Sequence, residues 1–294
     1  MNKIVSVAGR LYLILRQAWA ARLPVGPSDN ASLVSKYRTT WLRLIFLGLM
    51  GLATGCEADV AEMLIAIKPG VVGVGSFHPT RSPRIGLTGT GFVVGDGKHI
   101  VSCAHIFTRE LDSEKNETWV VLTGRDRQVA MRKVSIVARD KKHDLILLKI
   151  DGEALPTLKL AEADAAREGW QLYFTGYPIG SILGLNPSTH RAGLAAIVPI
   201  YTPVQNTAQL NVRTVKEARA QYEVYELDAI AYPGNSGSPV WHPDTGEVLG
   251  VVNSVFVKGA KETVLTAPSG ISYAIPVKYV RDLLREAGVR LVKP

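Results

Sequence analysis

Three residues far apart in the chain have the types and local settings that nucleophilic catalysis needs. Ser236 lies in "AYPGNSGSPVW", between Asn235 and Gly237, with Gly234 and Pro239 bending the chain on either side. Gly, Asn, Ser and Pro are the usual turn formers, so a plain surface turn is one reading of this run. A nucleophile held up to a substrate is the other, and it requires a base and a carboxylate elsewhere. "GKHIVSCAHIF" places His105 at the end of an apolar strand, where an imidazole either serves as general base or rests as a satisfied core residue. "KKHDLILLKI" places Asp144 directly before an unbroken apolar run. It is either a turn residue capping that strand or a carboxylate set under an imidazole, out of water.

The order along the chain, His105, Asp144, Ser236, discriminates between known arrangements. An α/β-hydrolase runs serine, acid, histidine, with Gly-x-Ser-x-Gly at the nucleophile. Here Ser238 replaces the final glycine and no suitable acid–histidine pair follows. The subtilisin order, Asp then His then Ser, also fails, whereas His-Asp-Ser is the chymotrypsin order. Other chemistries find less support. Gly89-Thr90-Gly91 would cradle a phosphate only if a helix followed, and a strand, "FVV", with a hairpin turn follows instead. The six histidines, His78, His99, His105, His143, His190 and His242, are scattered without H-x-x-x-H or C-x-x-C spacing, so neither a metal nor a cofactor is expected.

The elements that must position these residues are short strands. With 47% hydrophobic and 20% charged residues, the 294-residue chain has the composition of a globular protein with a real core. Runs such as "VVGVGSF", "WVVLTG", "LILLKI", "QLYFTGYP" and "ISYAIPV" are rich in β-branched and aromatic residues. Turn clusters such as Asp96-Gly97 and Asp244-Thr245-Gly246 separate them. About a dozen such strands predict an all-β barrel or sandwich architecture. Helical spacing marks two further segments. One is Val60, Met63, Leu64 and Ile67 before a Pro-Gly stop; the other is Val277, Val280, Leu284 and Ala287 before Gly288. The polar stretch Gln205–Gln221 reads as a long loop between strands.

The net charge of +8 is unevenly spread. Residues 1–55 hold seven Lys/Arg against one acid, Asp29, while the rest carries 27 bases and 25 acids. The body therefore lacks the electrostatic footprint of a nucleic-acid binder. Within this leader, basic "KYRTTWLR" precedes the apolar run Leu44–Gly55, too short to span a bilayer comfortably but suited to a secretory signal. Cys56 follows directly. The segment resembles a bacterial lipoprotein signal, with Ala53 where a larger aliphatic is usual, and implies lipidation of Cys56 and membrane attachment. An ordinary signal peptide or an uncleaved anchor is the alternative. A true start near Leu33 or Val34 is expected, because residues 1–35 make an unusually long preface. With Cys56 acylated, Cys103, the other of two cysteines, has no disulfide partner.

Taken together, these segments resemble the HtrA/DegP-like serine peptidases of the trypsin fold. "GTGFVVGDGKHIVSCAHIF" is similar to their glycine-hairpin-histidine segment and "HDLILLKI" to their acid strand. "FTGYPIG" and "YELDAIAYPGNSGSPVW" are similar to the stretches before and around the nucleophile, and "GISYAIPVKYV" to the last strand and helix. The likeness covers residues 60–290. It implies a protease domain over 56–294, built as two six-stranded antiparallel β-barrels, at roughly 70–160 and 165–276, with a C-terminal helix. Six residues follow that helix, so no PDZ domain is expected; Ser238 and an insertion near Val212 are further departures.

The resemblance assigns roles. Ser236 becomes the nucleophile, His105 the base and Asp144 the residue orienting it. Gly234, Asn235 and Ser236 form the oxyanion loop, with the amides of Gly234 and Ser236 as donors. Ile230 lies at the base of the substrate pocket, with Asn253, Ser254, Val255, Ile271, Ser272 and Tyr273 along its walls, implying small or medium apolar side chains at the cleavage site. Asn235 cannot pair with a new N-terminal ammonium, so activation by N-terminal cleavage is not expected. The implied protein is an extracytoplasmic bacterial endopeptidase acting on polypeptides. A binding or chaperone-like module on a protease fold, and an esterase using the same triad, are the competing readings.

Overall fold

The computed structural model describes residues 59–124, 129–179, 185–200, 222–253 and 270–290. The leader with Cys56, the loop at 205–221, Ser254 and Val255 lie outside the described residues. Helix α1 (Val60–Ile67) opens the described chain, its first turn capped by Asp59, whose carboxylate accepts from Ala61 N at 2.9 Å. A 3-10 turn, Lys68–Gly70, with Pro69 at its centre, then leads the chain out of the helix. No helix of the described residues is long and apolar enough to cross a membrane.

Six strands then close into a barrel: β1 (Val71–Phe77), β2 (Ile85–Val94), β3 (His99–Cys103), β4 (Thr118–Thr123), β5 (Ala130–Asp140) and β6 (Leu145–Ile150), in the order β1-β2-β3-β6-β5-β4. Every neighbouring pair is antiparallel. Val72, Val74, Phe92, Ile100, Leu145 and Leu147 are fully buried, which is why these β-branched and aliphatic runs fold as strands around a shared core. The β3–β6 pairing decides the geometry of the site. Cys103 lies opposite Leu145, so the residue leaving β3 and the residue entering β6 are neighbours. Ala104 N donates to Asp144 O at 2.9 Å across that junction.

A second closed barrel follows, from β7 (Gln171–Gly176), β8 (Ser188–Pro199), β9 (Glu223–Asp228), β10 (Pro239–Trp241), β11 (Val248–Asn253) and β12 (Ile271–Pro276), in the order β10-β11-β12-β9-β8-β7. The all-β architecture of two six-stranded antiparallel barrels is therefore the one the sequence implied. Trp241 is fully buried, stacks on Tyr173 and donates its indole N–H to Thr175 Oγ1 at 3.0 Å, anchoring the short strand that follows the Ser236 loop. Helix α2 (Val277–Glu286) buries Val277, Val280, Leu283 and Leu284. It ends in a Schellman turn, with Gly288 at φ 70° and Val289 N bonded to Leu284 O at 2.9 Å.

Candidate active site

His105 sits in a 3-10 turn, Ala104–Phe107, that begins where β3 ends. Asp144 occupies the residue before β6 with φ 54°, a left-handed conformation uncommon for a residue other than glycine. The turn before it is tied down by Asp140, which accepts from His143 N at 3.0 Å and meets His143 Nδ1 at 2.5 Å, while the His143 ring stacks on Tyr279 of α2. Asp144 is thus held facing the turn of His105. Its Oδ1 accepts from His105 N at 2.8 Å and its Oδ2 lies 2.5 Å from His105 Nδ1. His105 Nε2 lies 3.1 Å from Ser236 Oγ. One imidazole therefore bridges a carboxylate of the first barrel and a hydroxyl of the loop before β10.

Ser236 is held by backbone contacts on both sides. Its carbonyl accepts from Thr90 N at 2.9 Å, and the N–H of Gly237 donates to Val252 O at 2.9 Å. Gly237 has φ 89°, and a Cβ there would fall 1.9 Å from Thr90 O, so only glycine lets barrel-one backbone pass this close. Gly234 has φ 98°, and its N–H has no partner among the described residues. The amide of Asn235, grouped with the oxyanion loop by sequence, is committed elsewhere: it donates to Tyr232 O at 2.9 Å. The side chain of Asn235 is fully buried beneath the loop.

The pocket residues separate. Ile230 lines a cavity of about 610 Å³ together with His190, Arg191, Asp228, Tyr232 and Gly270. That lining is more polar than an apolar specificity pocket implies, and burial lowers the His190 pKa. Ser272 is buried, accepting from Ala231 N at 2.8 Å and donating to Ala229 O at 2.8 Å, and Ile271 is largely exposed. Asn253, placed along the pocket wall by sequence, turns its side chain instead to the acid: its Nδ2 donates to Asp144 Oδ2 at 2.7 Å.

Donor atoms of Cys103, His105 and Asp144 lie within 4.8 Å of one another, a spacing a metal ion could span. Cys103 is ill suited to that use. Burial, and then the charge of Asp144, push its thiol pKa well up, and the thiol donates to Val252 O at 3.3 Å. The imidazole and carboxylate are already paired with each other.

The trypsin-like peptidase domain model matches residues 89–251, more than half of the chain and the whole span from Gly89 past Ser236. The chain belongs to the trypsin-like peptidase family. Among its relatives, a probable periplasmic serine endoprotease, DegP-like, of Halomonas elongata is 27% identical over 200 residues, covering 66% of this chain and 34% of the relative. Serine protease HTRA1A of Danio rerio is 28% identical over 238 residues, covering 80% of this chain and 42% of the relative. The chain thus spans between a third and a half of the length of these curated relatives. The fold is similar to that of the Rv3671c protease of M. tuberculosis in an inactive form, with a TM-score of 0.53 at 22% identity over 77% of this chain and 92% of that one.

Two features of the site were not singled out by sequence. Thr90 touches the Ser236 loop, and its signal was the glycine before it: a Cβ on Gly89 would approach Ser236 O to 3.1 Å. Glu117 anchors the segment after the histidine turn. Its buried carboxylate accepts from Arg109 Nη2 at 2.6 Å, Arg81 Nη1 at 3.2 Å, Ser76 Oγ at 2.9 Å and Asp112 N at 3.1 Å. Chiefly through Arg109, these bonds hold its pKa far below the usual carboxylate range.

Proposed function

We propose that this chain is a serine endopeptidase that hydrolyses peptide bonds through an acyl-enzyme, with His105, Asp144 and Ser236 as its triad. The observation that carries the reading is the single imidazole bonded on one side to Asp144 at 2.5 Å and poised 3.1 Å from the Ser236 hydroxyl on the other. Ser236 Oγ attacks the substrate carbonyl while His105 Nε2 takes its proton; the proton then goes to the leaving amine. Water repeats the sequence on the acyl-enzyme. Asp144 holds the ring with the proton on Nδ1 and stabilises the imidazolium. Such proton transfer contributes about 10²–10⁴-fold. The N–H groups of Gly234 and Ser236 stabilise the oxyanion, each donor contributing roughly 3–4 kcal/mol to the transition state. Membership of the trypsin-like peptidase family supports the same chemistry.

A fluorophosphonate probe tests the site. The wild-type chain is labelled, Ser236→Ala is not, and casein hydrolysis is lost in the same variant. Absence of labelling in the wild type under all conditions refutes the reading and favours a binding module. Ester turnover without casein cleavage favours an esterase.

The same proposal places the protein outside the cytoplasm of a bacterium, attached to the membrane through Cys56. The DegP-like relatives named periplasmic and the Leu44–Cys56 segment support it. The mass of the membrane-extracted chain tests this: a diacylglyceryl adduct on an N-terminal Cys56 is expected, and an unmodified or uncut Cys56 refutes the anchor. For specificity we retain a preference for small or medium apolar side chains, resting on Ile230. Profiling that returned a strong Arg/Lys preference would refute that assignment and point to Asp228, which lines the same cavity.

A further inference from the structure

Thr90 uses all its hydrogen-bonding groups in one place. It is fully buried in β2 of the first barrel, yet three of its four bonds reach the second. Its N–H donates to Ser236 O at 2.9 Å. Its hydroxyl accepts from Tyr177 N at 2.9 Å and donates to Gly234 O at 2.7 Å. Its carbonyl accepts from Ser102 Oγ at 2.6 Å. A hydroxyl has one proton, and because Tyr177 N–H can only donate, that proton must point at Gly234 O.

The consequence for the loop follows peptide by peptide. The plane joining Gly234 to Asn235 is tied at both ends, by Thr90 Oγ1 on its oxygen and by Tyr232 O on its nitrogen. The plane joining Ser236 to Gly237 is tied likewise, by Thr90 N on its oxygen and Val252 O on its nitrogen. The two planes that carry the Gly234 and Ser236 N–H groups lie immediately before these. Their carbonyls, on Pro233 and Asn235, accept from Ile179 N at 2.6 Å and Ser238 N at 3.0 Å. The segment Tyr177–Ile179 that grips Pro233 is itself held to Thr90 through Tyr177 N. The Thr90 hydroxyl thus holds the plane that follows the Gly234 donor and, through Tyr177 N, the segment that grips the plane before it, while the Thr90 N–H holds Ser236 O.

We propose that Thr90 is a positioning residue for transition-state stabilisation: its hydroxyl presets the peptide planes on either side of Gly234, so that the oxyanion donor at Gly234 is aimed before substrate arrives. This rests on the endopeptidase reading. Preset donors act on the oxyanion more than on the ground-state carbonyl, so loss of the hydroxyl lowers kcat and leaves KM nearly unchanged.

The test compares wild type, Thr90→Val and Thr90→Ser on a fluorogenic peptide, with two inhibitors of the same sequence: a peptide aldehyde, which forms a hemiacetal on Ser236, and the non-covalent product peptide. Thr90→Val is expected to lose about 10–100-fold in kcat and a similar factor in aldehyde affinity, with KM and product-peptide affinity within about threefold. Thr90→Ser, which restores the hydroxyl, recovers wild-type values to within about threefold. Circular dichroism confirms folding; if Thr90→Val does not fold, Thr90→Cys, which keeps the volume and donates weakly, is measured against the same expectations. Unchanged kcat overturns the proposal, and so does an equal loss of affinity for both inhibitors, which marks a merely structural role. Fluorophosphonate labelling of the wild type separates the two levels. A wild type that is not labelled fails as a peptidase, and the assignment of Thr90 falls with it; a labelled wild type with an unimpaired Thr90→Val refutes Thr90 alone.

Discussion

Asn253→Ala removes one of three donors to the carboxylate of Asp144. His105 supplies the other two, through N at 2.8 Å and Nδ1 at 2.5 Å, and Asn253 Nδ2 completes the set at 2.7 Å. Hydrogen bonds to a charged group contribute about 1.5–3 kcal/mol, and the lower end applies because the Asp144 side chain retains 21% exposure, so water can reach the vacated lone pair. The backbone bond from His105 N and the pairing of Nδ1 both survive, so the imidazole keeps its partner and loses only the constraint on the carboxylate's rotation. About 1.5 kcal/mol corresponds to roughly a tenfold fall in kcat/KM. Asp144→Ala deletes the partner itself and is expected to cost about 10⁴-fold, as misplacement of the triad proton does elsewhere. The assay is initial-rate hydrolysis of a fluorogenic peptide by both variants, with denaturant unfolding as a control on folding. A kcat/KM for Asn253→Ala equal to wild type shows that Asn253 does not orient the acid. A loss as large as that of Asp144→Ala shows that the two histidine bonds cannot hold the carboxylate unaided. Either result refutes the reasoning.

Three further outcomes are expected. Glu117→Gln removes the charge that pairs Arg81 and Arg109; because those side chains retain 33% and 52% exposure and can rehydrate, the loss is about 2–3 kcal/mol, or a Tm lower by roughly 4–12 °C in calorimetry. The Glu117 pKa is depressed on folding, so its contribution is present above the unfolded value of about 4.3 and is lost as pH falls below it. The gap between wild type and variant therefore narrows in acid, and a gap that widened instead would contradict the assignment. Gly237→Ala must place a Cβ 1.9 Å from Thr90 O at φ 89°; the conformation alone costs about 1–3 kcal/mol, and fluorophosphonate labelling should disappear, whereas normal labelling would contradict the close approach of Thr90 to this loop. Cys103, its thiol pKa pushed well up by burial and by Asp144, should resist iodoacetamide at pH 8 until denaturant is added, as read from the mass of its peptide; rapid native alkylation would show the β3 end to be open.

The parts of the site legible in the sequence are those whose position depends on neighbours along the chain. His105 follows one apolar strand and Asp144 precedes another, and antiparallel pairing of β3 with β6 brings those two strand ends into one place. The barrels are legible for the same reason, since alternation and turn residues act over a few positions. What was misplaced depends on direction rather than location. Asn253 stands at the end of β11, beside the pocket by its chain position, but its side chain turns to Asp144. The Asn235 amide belongs to the oxyanion loop by sequence and is spent inside it on Tyr232 O. What was overlooked depends on contacts across long stretches of chain: Thr90 Oγ1 meets Gly234 O across 144 positions, and Arg81 reaches Glu117 across 36. Charged residues in loops read as solvated until a fold buries one of them, and a threonine between glycines reads as strand filler until another backbone is laid against it. The glycines carried the hint. Gly89 keeps room for the carbonyl of Ser236 rather than for a ligand, and Gly91 for the neighbouring strand β3; the residue between them is the one whose polar groups the approaching loop meets.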